Sequence, residues 1–151
     1  GISFDTKVVG IHPGANRIDN RWSVKNFSRV ADYLMEKHKI KVVVFTGPDE
    51  ENLKKDLLSE CNQPVFTAPS LSLREFAAMV KPLSLFICND TGVLHIASAV
   101  KTKTLAIFGP TDPNYWNPLG DDHYFIYGNN NKVEDVSVEQ VVNKIKEILK
   151  M

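Results

Sequence analysis

The chain has 151 residues, 43% hydrophobic and 24% charged, and its eighteen basic residues balance eighteen acidic ones. That length suits one domain whose core needs no cross-links, and a net charge of zero argues against broad nucleic-acid binding or strong attraction to anionic lipid. No apolar run is long enough to span a bilayer, no signal peptide is visible before Lys7, and two cysteines without metal spacing, Cys61 and Cys88, suggest a reducing compartment.

Short β-rich runs alternate with helical patterns. The first strand is read at Lys7–Gly14, and its abrupt start is that of an excised domain. Ser23 then caps a helix with Val24, Phe27, Val30, Ala31, Leu34 and Met35 on one face. Lys41–Gly47 is a second strand, continuously apolar as expected when both faces are covered. The segment from Pro48 to Cys61 is a helix whose early Asp49, Glu50 and Glu51 suit the positive end of its dipole. A short strand from Pro64, a helix from Ser72, a strand at Ser84–Asp90 and a helix from Thr91 follow. Lys103–Gly109 is the fifth strand, 110–122 a long proline-rich loop, and His123–Gly128 the sixth strand. Val138, Val141, Val142, Ile145, Ile148 and Leu149 form the stripe of a closing helix. The alternation predicts a Rossmann-like three-layer α/β/α fold with a parallel sheet of about six strands, in one domain over residues 1–151.

Ligands of such sheets bind beyond the carboxyl ends of the strands, so the residues after each strand carry the functional reading. After the first strand, Gly14 allows a tight turn or close backbone approach, and Arg17 and Arg21 could grip phosphate. After the second, Asp49 reads as a helix cap and Glu50 as the candidate for ribose hydroxyls. After the fourth, Asp90 or Thr91 can cap a helix, Gly92 leaves its first amides uncluttered for a diphosphate, and His95 falls near the same mouth. The carboxylate of Asp90 would repel a diphosphate, so it is expected to face sugar hydroxyls or the backbone of the facing loop. After the fifth, Gly109 permits close approach, and Thr111 could serve a phosphate or its own loop. The four histidines show no metal spacing and no P-loop lysine motif occurs, so no metal is expected.

The run NDTGVLHIASA followed by LAIFGPTDP, with HPGA after the first strand, RW before the first helix and TGPDEE after the second strand, resembles glycosyltransferase family 9, the ADP-heptose:lipopolysaccharide heptosyltransferases. The resemblance runs from Lys7 to about Gly120. It implies the carboxyl-terminal, donor-binding half of a GT-B enzyme, without its amino-terminal acceptor domain. It implies that Asp90, Thr91, Gly92 and His95 surround the donor diphosphate and sugar, that Glu50 serves the nucleoside, and that the loop at Ala15 and Asn16 lies near the phosphates; Gly14, Asn20, Arg21 and Thr111 join these as candidate donor-binding residues. The implied chemistry is inverting transfer from a nucleotide sugar, ADP-heptose, without a cofactor, in lipopolysaccharide or related polysaccharide synthesis. The catalytic base is expected in the absent half, so the fragment alone should not turn over. The implied location is the cytoplasm, at the inner face of the membrane through peripheral association of the whole protein. One position departs from the family pattern: Asn20 stands where a lysine commonly precedes the Arg-Trp pair, so either Arg17 or Arg21 compensates or the donor is a different nucleotide sugar. The competing reading is a catalytically idle nucleotide-binding or interaction module; a hydrolysing sugar epimerase fits the loops less well.

Overall fold

The computed structural model describes residues 2–151. Six strands, β1 (Val8–His12), β2 (Lys41–Val44), β3 (Phe66–Thr67), β4 (Leu85–Asn89), β5 (Thr104–Phe108) and β6 (His123–Tyr127), form one parallel sheet in the order β3-β2-β1-β4-β5-β6. The helices are α1 (Val24–His38), α2 (Glu51–Glu60), α3 (Leu73–Val80), α4 (Gly92–Ala99), α5 (Pro113–Trp116) and α6 (Val138–Leu149).

Both faces of the sheet are covered. Val9, Ile11, Leu85 and Ile87 point to the face packed by α1, α2 and α6, through Phe27, Val30, Leu34, Leu57, Val141 and Ile145. Val8, Phe86 and Cys88 point the other way, to Phe76 and Val80 of α3 and Leu94 and Ala97 of α4. This period of two explains why the central strands are apolar at every position. Each fully buried side chain contributes about 1.5–3 kcal/mol. Phe45, Phe76 and Phe86 add an edge-to-face triad with centroids 5.4–6.0 Å apart.

The expected elements form where the sequence placed them, with three differences. The third strand shrinks to Phe66–Thr67, both exposed, because it is an edge with a single partner, β2. Ser23 caps α1 by accepting from the Asn26 N–H, as read, but Asp49 caps nothing among the described residues and α2 starts from Glu50. The proline-rich loop is not wholly irregular: Pro113 opens the four-residue helix α5, a position its missing N–H suits. Gly109 does permit a close approach, but of the chain itself, since a Cβ there would lie 2.6 Å from the Val133 nitrogen.

Sheet order reverses direction between β1 and β4, which pair with each other. Their following loops leave toward opposite faces and open a crevice at their carboxyl ends.

Candidate functional site

The crevice is organised from beneath by Asn89, the last residue of β4, which is fully buried. Its Oδ1 accepts the Trp22 backbone N–H at 2.9 Å, and its Nδ2 donates to the carbonyls of Pro13 (2.9 Å) and Gly14 (3.3 Å). One amide thus ties the β1 loop and the start of α1 to the end of β4. Trp22 is fixed in turn, its Nε1 donating to the Val136 carbonyl at 2.8 Å. Nothing in the sequence patterns above singles out Asn89, although an amide closing an otherwise apolar strand is a signal.

Above Asn89 the chain turns into α4. Neither Asp90 nor Thr91 caps the helix with its side chain, contrary to the sequence expectation. Among the described residues the amides of Gly92 and Val93 have no protein acceptor, and a Cβ built on Gly92 would meet nothing within 4 Å. The positive end of α4 therefore opens to solvent. Asp90 instead accepts the Thr111 hydroxyl at 2.5 Å, so its carboxylate meets the facing loop through a side chain rather than the backbone. Asn20 is only 7% exposed; its Nδ2 reaches the Asp90 carbonyl at 3.5 Å and its Oδ1 has no partner among the described residues. His95 is exposed on the first turns of α4. A cavity of about 380 Å³ is bounded by Asn20, Asp90, Thr91, Gly92, His95 and Thr111, together with Arg17 and Trp116. Its size is that of a small-molecule site. Trp116, too, went unremarked in the sequence.

On the β2 side of the crevice, the Glu50 carboxylate accepts the Gly47 N–H at 2.6 Å and lies 3.6 Å from His12 Nε2. It rests directly on Gly14, where a Cβ would sit 2.1 Å from Glu50 Oε1. Gly14 is therefore required for space. His12 is buried, and burial lowers its imidazole pKa, with the Glu50 charge pulling the other way. Beside them a smaller cavity of about 160 Å³ runs between the ends of β2 and β3, walled by Phe45, Pro48, Pro69, Leu71, Phe76 and Val93. Gly92 borders the larger cavity and Val93 the smaller one, so the first turn of α4 separates the two.

Other predicted residues are placed differently. Ala15 is buried, and its carbonyl accepts Arg21 Nε at 2.8 Å, so Arg21 braces the β1 loop rather than bordering either cavity. Asn16 is exposed. Arg17 borders the larger cavity but pairs with Asp19 at 2.8 Å on the surface, a pairing weak enough to be exchanged for a ligand. Cys61 is half-buried, with its thiol pushed up to about 11 by burial and then by Asp32 and Glu60; burial also raises Cys88. Both are protonated and unreactive near neutrality. Among the described residues no three His, Cys, Asp or Glu gather as a metal site requires, and no helix is long and apolar enough to cross a membrane.

Comparison with known proteins meets this geometry. The chain is 34% identical over 118 residues to lipopolysaccharide heptosyltransferase 3 of Escherichia coli, an alignment covering 76% of this chain and 34% of that protein. Its fold superimposes on a family 9 glycosyl transferase from Veillonella parvula with a TM-score of 0.92 at 22% identity, covering 99% of this chain and 48% of the other. It superimposes on the E. coli heptosyltransferase WaaC with ADP with a TM-score of 0.88 at 21% identity, covering 97% and 46%. The chain spans a third to a half of the length of the first relatives it matches, and its sheet corresponds to one half of these two-domain GT-B folds. Residues 1–146 match the family described as Glycosyltransferase family 9 (heptosyltransferase), and with a crevice built at the switch point of a six-stranded parallel sheet, the chain belongs to that family.

Proposed function

We propose that this chain is the carboxyl-terminal, donor-binding domain of a heptosyltransferase, and that it holds ADP-heptose for inverting transfer to a lipopolysaccharide-type acceptor. One observation carries the reading: residues from three separate loops converge on a single cavity at the uncapped start of α4. The two cavities divide the ligand between them. The smaller, apolar one suits a nucleobase, Glu50 beside it suits ribose hydroxyls, and the Gly92 and Val93 amides suit the diphosphate. The sugar then extends toward Asp90 and His95. The relative WaaC, whose structure contains ADP, supports the choice of nucleotide.

In the proposed reaction an acceptor hydroxyl attacks the anomeric carbon. The bond to the β-phosphate oxygen breaks, and ADP leaves with the electron pair. Negative charge grows on that phosphate, where fixed amides and the helix dipole stabilise it without reorganising. His95 can donate to the same oxygens in either protonation state. Asp90, engaged by Thr111, is oriented for sugar hydroxyls. The base that takes the acceptor proton belongs to the other half of the enzyme, so this chain binds but does not turn over. No resident metal or cofactor enters this scheme. In the whole protein the acceptor lipid would bring the enzyme to the inner face of the cytoplasmic membrane.

Titration calorimetry of the 151-residue chain with ADP, ADP-heptose and a UDP-sugar tests the proposal. Saturable binding of ADP and ADP-heptose, with UDP-sugar weaker, is the expected result; no saturable binding of any of them would overturn it. A second reading, an idle module of the same fold, is favoured by Asn20 at the lysine position and by Arg21 being spent on the Ala15 carbonyl. Under that reading the titration is flat.

A further inference from the structure

We propose that Trp116 is a stacking wall for the sugar of the bound donor, and thereby distinguishes nucleotide sugar from free nucleotide. The inference rests on the donor-site reading above. The chain has two tryptophans. Trp22 is 1% exposed and hydrogen-bonded, whereas Trp116 is 56% exposed. Tyr115 and Leu119 nearby are exposed as well, so exposure alone is ordinary; what sets Trp116 apart is its place on the wall of the cavity, which neither of those two lines.

The backbone that carries Trp116 is held rigidly. Asp112 Oδ1 accepts the Asn114 N–H at 2.9 Å, and the Asp112 carbonyl accepts the N–H groups of Tyr115 (3.1 Å) and Trp116 (3.2 Å). The Asn117 N–H returns to the Pro113 carbonyl at 2.9 Å, and Asn117 Nδ2 donates to the His123 carbonyl at 3.0 Å. Thr111, on the same loop, donates to Asp90 at the start of α4. The loop is thus tied to the helix whose amides would hold the diphosphate, and little ordering remains to be done when a ligand arrives.

Trp116 bounds the same cavity as Asp90, Gly92 and His95. A pyranose ring presents a patch of C–H groups on its face and hydroxyls around its rim. The indole supplies a flat apolar surface for the first, and its Nε1, without a protein partner among the described residues, can donate to the second. Asp90 and His95 remain for the other hydroxyls. A diphosphate has no apolar face, and the nucleobase has its own cavity on the far side of the first turn of α4. The sugar is therefore the part of the ligand whose chemistry matches the ring.

Because Trp22 is buried, iodide quenching of tryptophan fluorescence reports on Trp116 in the unaltered chain. ADP-heptose is expected to protect it from iodide and ADP to protect it much less. Trp116→Leu should leave ADP affinity unchanged while reducing the extra affinity for ADP-heptose by between about two- and tenfold; Trp116→Phe should restore most of it. Equal protection by ADP and ADP-heptose, or no protection by either while both bind, overturns the inference, as does an undiminished sugar advantage in Trp116→Leu. No saturable ADP binding at all overturns the donor-site reading itself, and the inference with it.

Discussion

Asn89 Oδ1 and the Trp22 backbone N–H meet at 2.9 Å, across a sequence separation of 67 residues, and hold the loops of β1 and β4 at one crevice. Replacing the amide leaves three buried groups without a partner: the Trp22 N–H and the carbonyls of Pro13 and Gly14. Asn89→Ala is expected to lower unfolding free energy by about 2–4 kcal/mol in urea denaturation. Asn89→Asp keeps the acceptor but sets a carboxylate against two carbonyls, so it should be no better.

Gly92→Ala separates stability from binding. The new Cβ points into open space, and alanine favours a helix over glycine by about 1 kcal/mol at most. The thermal midpoint should therefore hold or rise slightly. ADP affinity, measured by calorimetry, should fall, because the methyl group occupies the approach to the uncapped amides. Unchanged affinity would place the diphosphate elsewhere.

The Glu50 carboxylate depends on the missing side chain at Gly14. Gly14→Ala would push it away from the Gly47 amide and from His12. ADP affinity is expected to drop in Gly14→Ala by about as much as in Glu50→Ala, roughly tenfold. The double variant should be no weaker than either single one, since both changes remove the same contact. Additive losses would show that Gly14 acts independently of Glu50.

Two histidines set an acid limit on stability. Burial lowers the pKa of His12, against the pull of Glu50, and of His123, against Asp122. His123 lies between the hydroxyls of Thr104 (2.9 Å) and Ser98 (3.1 Å). Each ring binds its proton more weakly folded than unfolded, so the unfolded chain takes up more protons as acid is added. Stability is therefore full above the unfolded histidine pKa of about 6.5 and declines as pH falls below it toward the folded values. Urea midpoints at pH 7.5 and pH 5 should show this decline. His12→Gln should flatten it, and Glu50→Gln should steepen it by removing the charge that offsets burial.

Asn20→Lys tests the departure from the family pattern. A lysine there would bring an ammonium to the cavity bounded by Asp90, Thr91 and Gly92. ADP affinity should rise about tenfold at low salt, and the gain should shrink with added salt. No gain would mean that Arg17, released from Asp19, already neutralises the phosphates.

The local pattern of the chain determined a great deal. Apolar runs of strand length and stripes of helical period announced six strands and five helices, and Ser23 marked where α1 begins. Because ligands of parallel sheets sit at strand ends, Asp90, Thr91, Gly92, His95 and Thr111 could be named from the sequence, the family resemblance added Asn20, and the structure gathers all six around one cavity. What only the tertiary structure decided is the partner of each group. Asp90 meets Thr111, 21 residues away, and does not cap its own helix; Glu50 lies against Gly14; Asn89 joins three loops; Trp116 stands beside the cavity. These contacts follow from the pairing of β1 with β4 and of β4 with β5, and from the opposite courses of the loops that leave them. Periodicity encodes which way a side chain faces within its own element, but the meeting of residues far apart in the chain is set by the order of strands in the sheet, which no local pattern records.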